Sequence, residues 1–235
     1  MKQKLYLIPG TMCTHAMWQY LDVSLKEDYE FCHLQIPNDC SLETIASRIC
    51  DLFEEPQVNL IGFSLGGYLA CLIACRFPDR IKSLVVVANS PCALAQAEMD
   101  QRRLSESMLN RFGYKGMARV KAASLLRDKE EPHIDLMLKM DHELGVDTLK
   151  SQLANTSLRQ DLMSDLMVLP CPISFIYSLE DRLINLDWMK TLAHKQKSNI
   201  TFFPVQGDSH MLPFEEVEPL LIQIKGFVNS DQSVC

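Results

Sequence analysis

Residues 58 to 76 read VNLIGFSLGGYLACLIACR, and no other stretch narrows the possible folds of this chain as much. Val58 to Phe63 are almost continuously apolar, which marks a β-strand covered on both faces, as in a parallel sheet. A lone serine, Ser64, follows, and a helical run from Leu65 to Arg76 comes directly after it. Gly62 and Gly66 stand two residues to either side of that serine. A sharp strand-to-helix turn strains the backbone of its central residue, and side chains two positions away would collide, so glycine is required there. The turn pushes the Ser64 hydroxyl out above the sheet. It also sets the hydroxyl near a helix N-terminus, where the positive end of the dipole and the N–H of Leu65 can stabilise a developing oxyanion. Gly67 leaves room for the helix to pack closely.

Four more runs rich in Val, Ile, Leu and Phe predict strands: Lys4 to Ile8, Ser83 to Ala88, Pro172 to Tyr177 and Ile200 to Val205. A weaker sixth, Glu30 to Ile36, is expected at a sheet edge. Between strands the pattern turns helical: Leu42, Ile45, Ile49, Leu52 and Phe53 share a face, with Ser41 placed to cap. Strand and helix in alternation predict a doubly wound α/β fold, its sheet mostly parallel with about six strands. At 235 residues the chain is expected to form one such domain, 1–235.

The alternation breaks once. From Ser90 to about Leu169 only amphipathic stretches occur, Ala93 to Phe112, Lys115 to Arg127 and Ile134 to Leu144, separated by Gly113, Pro132 and Gly145. That is too long for a loop, so residues 91–168 are predicted to be a small helical cap inserted after the fourth strand. It holds Met99, Met108, Met117, Met137, Met140, Met163 and Met167. Adaptable core packing is the simpler reading of these; a pliable apolar lid over a ligand is the sharper one. The basic residues Arg102, Arg103, Arg111, Lys115, Arg119, Lys121 and Arg127 read first as a solvated helix face and second as an attraction for an acidic carrier protein or a carboxylated substrate.

A serine hydroxyl needs a base to take its proton, and the base needs a carboxylate to orient it. Both are expected past later strands. SLEDRLI puts Asp181 after the Pro172 to Tyr177 strand, and QGDSHMLPFEE puts His210 after the Ile200 to Val205 strand. The order Ser64, Asp181, His210 is the one associated with this kind of elbow. Glu180 competes with Asp181 and is the weaker candidate; Asp208 reads as a turn residue. His15 is expected near the pocket mouth, whereas His33, His133, His142 and His194 read as surface or core residues. A second oxyanion donor should come from the loop after the first strand, IPGTMCTHAMW, where Thr11 is the first candidate and Met12 the next.

The net charge of −7, with basic residues scattered, argues against a nucleic-acid partner. No apolar run approaches the roughly 20 residues of a membrane span, and MKQKLYLIPG is too short in apolar residues for a secretory signal. The nine cysteines therefore read as free thiols of a cytoplasmic protein, Cys71 and Cys75 as core packing. No metal and no organic cofactor are expected.

At these residues the chain resembles the α/β-hydrolase superfamily. LIPGTMCTHAMW is similar to a PGTxC...W version of its oxyanion loop, GFSLGG to its nucleophile elbow, and SLEDRLI and GDSHMLPFEEVEPL to its acid turn and histidine loop. Two features depart from the pattern: Pro9 stands where many members have His, and the first strand corresponds to the usual third, which implies a six-stranded sheet. Within the superfamily the resemblance is greatest to small capped carboxylesterases, such as those acting on methyl esters of pimeloyl carrier protein. It implies a serine hydrolase of a small-molecule carboxylic ester or thioester, with Ser64, Asp181 and His210 catalytic and Leu65 with Thr11 or Met12 at the oxyanion. The alternatives are a cofactor-free lyase or acyltransferase of the same fold and a non-catalytic ligand-binding protein. Tyr68, where a related menaquinone-pathway lyase commonly has arginine, weighs against the lyase.

Overall fold

The computed structural model describes residues 2–38 and 40–228. Six strands form one sheet: β1 (Gln3–Ile8), β2 (Tyr29–His33), β3 (Val58–Phe63), β4 (Ile81–Val87), β5 (Ile173–Ser178) and β6 (Ile200–Val205). Their spatial order is β2-β1-β3-β4-β5-β6, and all five pairings are parallel. The sheet expected to be mostly parallel is thus wholly so. β3 is buried at all six positions and β4 at all but one, because helices cover both faces of the sheet centre. β2 is one of the two edge strands and stops three residues short of the expected Ile36, with only Tyr29 fully buried. One exposed face dilutes the apolar signal from which its end was read.

The helices are α1 (Gln19–Leu25), α2 (Leu42–Cys50), α3 (Leu65–Arg76), α4 (Gln96–Phe112), α5 (Arg119–Ala123), α6 (Glu131–Thr156), α7 (Met163–Val168), α8 (Leu186–His194), α9 (Leu212–Glu215) and α10 (Val217–Val228). Ser41 caps α2 as its position predicts, its hydroxyl accepting the Thr44 N–H at 3.2 Å. The core lies in two layers. One packs α2, α3 and α8 beneath one face of the sheet around Leu60, Leu69, Leu84 and Phe175. The other packs α1, α10 and part of α6 over the opposite face around Leu7, Ile61, Val85 and Ile176.

Between β4 and β5 the chain makes only helices, α4 to α7. Three expectations about their limits need correction. Of Lys115 to Arg127 only Arg119–Ala123 is helical; α6 continues past Gly145, whose φ of 73° breaks the helical geometry without ending the run; and α7 was not foreseen. Met137 and Met140 are buried, whereas Met108 is exposed. Arg103, Arg119 and Arg127 are engaged in ion pairs with Asp100, with Glu131 and Asp135, and with Asp128 and Glu216. No helix among the described residues is long and apolar enough to cross a membrane. The eight described cysteines are free thiols, and Cys235 lies outside the described residues.

Candidate active site

All six strands run the same way, so their carboxyl ends meet along one rim, and every predicted site residue lies just past such an end. Ser64 sits between β3 and α3 with φ 50° and ψ −117°, a conformation rare for a side-chain-bearing residue. It is held from both sides: its N–H donates to the carbonyl of Val87 at 2.9 Å, and its carbonyl accepts the N–H of Gly67 at 2.8 Å and of Tyr68 at 3.2 Å. Crowding explains the glycines. A Cβ on Gly62 would lie 2.2 Å from the Gly66 carbonyl oxygen, and one on Gly66 would lie 2.3 Å from that of Ile8.

His210 Nε2 is 3.0 Å from Ser64 Oγ, and its Nδ1 is 2.7 Å from Asp181 Oδ2. The structure therefore brings together the three residues singled out in the sequence. Asp181 and His210 are 3% and 5% exposed, so the pair lies behind the serine, shielded from water. The other carboxylate oxygen of Asp181 accepts the Leu183 N–H at 2.9 Å, which fixes the plane of the acid. With Nδ1–H donated to Asp181, Nε2 carries the lone pair and can accept a hydrogen bond from the Ser64 hydroxyl. The imidazole also packs on Phe63, ring centroids 5.3 Å apart. The histidine loop is anchored at several points: Ser178 Oγ donates to the Ser209 carbonyl at 2.5 Å, and the N–H groups of His210 and Met211 donate to the Leu125 carbonyl at 3.0 and 3.3 Å.

Ser64, Leu65, Thr11, Met12 and His210 line one cavity of about 500 Å³, roofed by residues from α4 to α6 such as Leu109, Met137 and Leu153. Leu65 is the first residue of α3, where a backbone N–H has no partner within the helix. Thr11 is exposed at the rim. Met12, at φ 54°, already gives its N–H to Gln152 Oε1 of α6 at 2.9 Å. That contact spans 140 positions, and nothing in the sequence marks Gln152 as a partner. Asp141 is a second such residue: buried in the cavity wall, it accepts the Tyr114 hydroxyl and the Met117 N–H, the latter at 2.8 Å.

The rejected candidates stand elsewhere. Glu180 and Asp208 are exposed. His15, expected at the pocket mouth, is instead beside His33 of β2, ring centroids 5.7 Å apart, because its short helical turn points it towards the sheet edge. No group of three or more His, Cys, Asp or Glu side chains able to hold a metal ion occurs among the described residues.

Residues 15–117 match a family model described as alpha/beta hydrolase fold. The pimeloyl-[acyl-carrier protein] methyl ester esterase of Nitrosomonas europaea is 25% identical over 90% of this chain and 91% of its own length. A protein of the same name from Aeromonas hydrophila is 31% identical over 40% of this chain and 41% of its own length. Among solved structures, a thermophilic esterase from Thermogutta terrifontis superposes with a TM-score of 0.82 at 18% identity, covering 98% of this chain and 90% of that one. Sheet order, matched segment and these likenesses together show that the chain has the α/β-hydrolase fold, in the company of proteins named as esterases and hydrolases.

Proposed function

We propose that the chain is a serine hydrolase that cleaves a carboxylic ester or thioester through an acyl-enzyme. The observation that carries this is the unbroken line from Ser64 Oγ through His210 to Asp181, at 3.0 and 2.7 Å, opening into the cavity. Ser64 attacks the acyl carbon while His210 Nε2 takes its proton. The buried Asp181 carboxylate compensates the imidazolium that results. Charge gathering on the carbonyl oxygen meets the N–H groups of Leu65 and Thr11, since that of Met12 is engaged by Gln152. His210 then protonates the leaving alcohol or thiol as the tetrahedral intermediate collapses. Water, deprotonated by the same imidazole, attacks the acyl-enzyme and releases the acid, restoring Ser64.

In this reading residues 91–168 act as the cap that shapes the acyl site, supported by the side chains of α4 to α6 that roof the cavity. The substrate is a small-molecule ester or thioester, free or on a carrier protein; the relatives' printed substrate, a methyl ester of a pimeloyl carrier protein, supports an acyl ester. The free thiols support a cytoplasmic setting. Replacing Ser64 by Ala tests the proposal: kcat on p-nitrophenyl acyl esters should fall by about 10⁴- to 10⁶-fold with the unfolding midpoint unchanged. Turnover within tenfold of the wild type, or failure of the wild-type serine to react with a fluorophosphonate, would remove it.

A further inference from the structure

We propose that Arg159, seated over the ring of Tyr68 in the cavity that holds Ser64, binds an anionic group of the substrate, so that the enzyme selects esters bearing a carboxylate beyond the reacting carbonyl. The inference rests on the ester-hydrolase reading above and names its substrate class.

Arg159 lies in the short connection between α6 and α7, half-buried and in the wall of the same cavity as Ser64 and Leu65. Its guanidinium carbon is 5.9 Å from the centroid of the Tyr68 ring. Its Nε is buried and has no hydrogen-bond partner among the described residues. No acidic side chain forms an ion pair with it there either. Glu98, whose negative charge does act on it, is paired with Arg102 at 2.9 Å. Arg102, the other arginine in the cavity wall, thus has a counter-charge, and it also donates to Thr156. Arg159 has none. Burial holds its pKa below the ordinary arginine value, Arg102 adding to the effect and Glu98 opposing it. A guanidinium withdrawn from water without a counter-ion is costly, and a planar, bidentate anion would relieve that cost.

The surroundings are rigid. Tyr68 is 2% exposed, and its hydroxyl both accepts the Gln160 N–H at 2.8 Å and donates to the Gln160 carbonyl at 3.3 Å. The next residues are fixed too: Asp161 accepts the Trp188 indole N–H at 2.9 Å, and the Leu162 N–H donates to the Pro91 carbonyl at 3.0 Å. The connection that presents Arg159 is therefore stitched to α3, to α8 and to the end of β4. Tyr68 follows Ser64 by four residues on α3, a rise of about 6 Å. The ring that carries the cation is thus rooted about one helical turn from the nucleophile, and Ser64, Tyr68 and Arg159 all line the same cavity. Two carboxylates also line the cavity, and each has partners of its own: Asp141 accepts from Tyr114 and Met117, and Glu98 is paired with Arg102.

The test compares the monomethyl half-esters of the dicarboxylic acids from succinic to suberic with their dimethyl diesters, which differ in one charge. In the wild type, kcat/KM for the best half-ester should exceed that of its diester at least tenfold, mainly through KM. That ratio should collapse by at least tenfold in Arg159→Met and recover in part in Arg159→Lys. No preference for the half-ester in the wild type, or a ratio unmoved by Arg159→Met, overturns the inference. Should Arg159→Met fold poorly, the wild-type preference and the Arg159→Lys ratio decide. If neither ester turns over, calorimetric titration of adipate into Ser64→Ala and into Ser64→Ala with Arg159→Met decides: tenfold weaker binding in the double variant supports the subsite, and equal or absent binding refutes it. An analogue with phosphate in place of the distal carboxylate identifies which anion is preferred. Fluorophosphonate labelling of Ser64 in the wild type, Arg159→Met and Arg159→Lys keeps a failed anion site distinguishable from a failed hydrolase reading.

Discussion

The sharpest test of how this site is built uses a single methyl group. An alanine Cβ at position 66 would stand 2.3 Å from the Ile8 carbonyl oxygen, 2.5 Å from that of Pro9 and 2.7 Å from the Ile8 carbonyl carbon; at position 62 the nearest atoms, 2.2 to 2.7 Å away, are likewise backbone. None of these neighbours can rotate aside. Relief requires α3 to part by about 1 Å from the end of β1 for position 66 and from the end of β3 for position 62, given that non-bonded carbon contacts settle near 3.5 Å or more. Overpacking that side chains can absorb costs about 1–3 kcal/mol. Moving backbone also strains the hydrogen bonds at the end of the β1 and β3 pairing, each worth about 1 kcal/mol. We therefore expect Gly66→Ala and Gly62→Ala each to lose about 4 kcal/mol. Near 235 residues that corresponds to a fall in Tm of about 8–16 °C. Gly226 is the internal control: it lies inside α10 with nothing within 4 Å of an added Cβ. The same substitution there should stabilise by about 0.5–1 kcal/mol through helix propensity. Urea unfolding followed by circular dichroism would measure all three. A loss below about 1 kcal/mol for Gly66→Ala, or a loss at Gly226 equal to that at the elbow, would refute the steric account.

Two further outcomes follow from individual contacts. Asp181→Asn keeps the shape of the acid but removes the charge that sets the imidazole tautomer, so kcat/KM at pH 7 should drop by roughly 10⁴-fold with little change in unfolding; a loss under tenfold would show that His210 does not depend on that carboxylate. Gln152→Leu leaves the Met12 N–H buried without an acceptor, which should cost about 1–3 kcal/mol of stability and lower kcat more than it raises KM, because the loop carrying Thr11 loosens; denaturation and steady-state kinetics both at wild-type values would show the contact to be incidental.

Much of this was legible in the sequence because a parallel sheet simplifies the problem. Strands buried on both faces are nearly continuous apolar runs, so β3 and β5 match the predicted bounds to within a residue; β6, at the other sheet edge, matches because its own run is mostly apolar although only Ile200 is fully buried. Loops at their carboxyl ends must then share one rim, which is why Ser64, Asp181 and His210 could be singled out before any distance was known. The pattern weakens wherever one face meets water. β2 therefore ends before the apolar run predicts, and the helices between β4 and β5 depart from their predicted bounds. Around Met117 and Leu125 the backbone leaves helical geometry to meet Asp141 and the histidine loop, and local periodicity carries no trace of such partners. Gln152 and Arg159 were invisible on the same ground. Their significance lies in contacts with Met12, 140 positions away, and with Tyr68 on α3, and neither residue stands in a motif.

Those distant contacts also constrain how substrate can enter. The loops that carry the site are each tied to the helical segment above them: Met12 to Gln152 of α6, and His210 and Met211 to Leu125 just beyond α5. Glu215 adds a third tie by accepting from Ser209 on one side and from the N–H groups of Arg127 and Asp128, at 3.0 and 2.8 Å, on the other. Lifting α5 and α6 as a body would break all of these at once. At about 1 kcal/mol for each neutral bond, and more where the Glu215 carboxylate is the acceptor, that motion is expensive and would also disassemble the site it exposes. α4 is different. It buries none of its residues, and Leu104, Met108 and Phe112 on it are more than half exposed. Its hydrogen bond from Arg102 to Thr156 of α6 is a single link between side chains. Few buried contacts and few cross-links place it at the low-stability end of the structure. Opening at α4 would leave Ser64, His210 and the Met12 loop in register, whereas opening at α6 would not; the least costly route to the cavity therefore passes beneath α4.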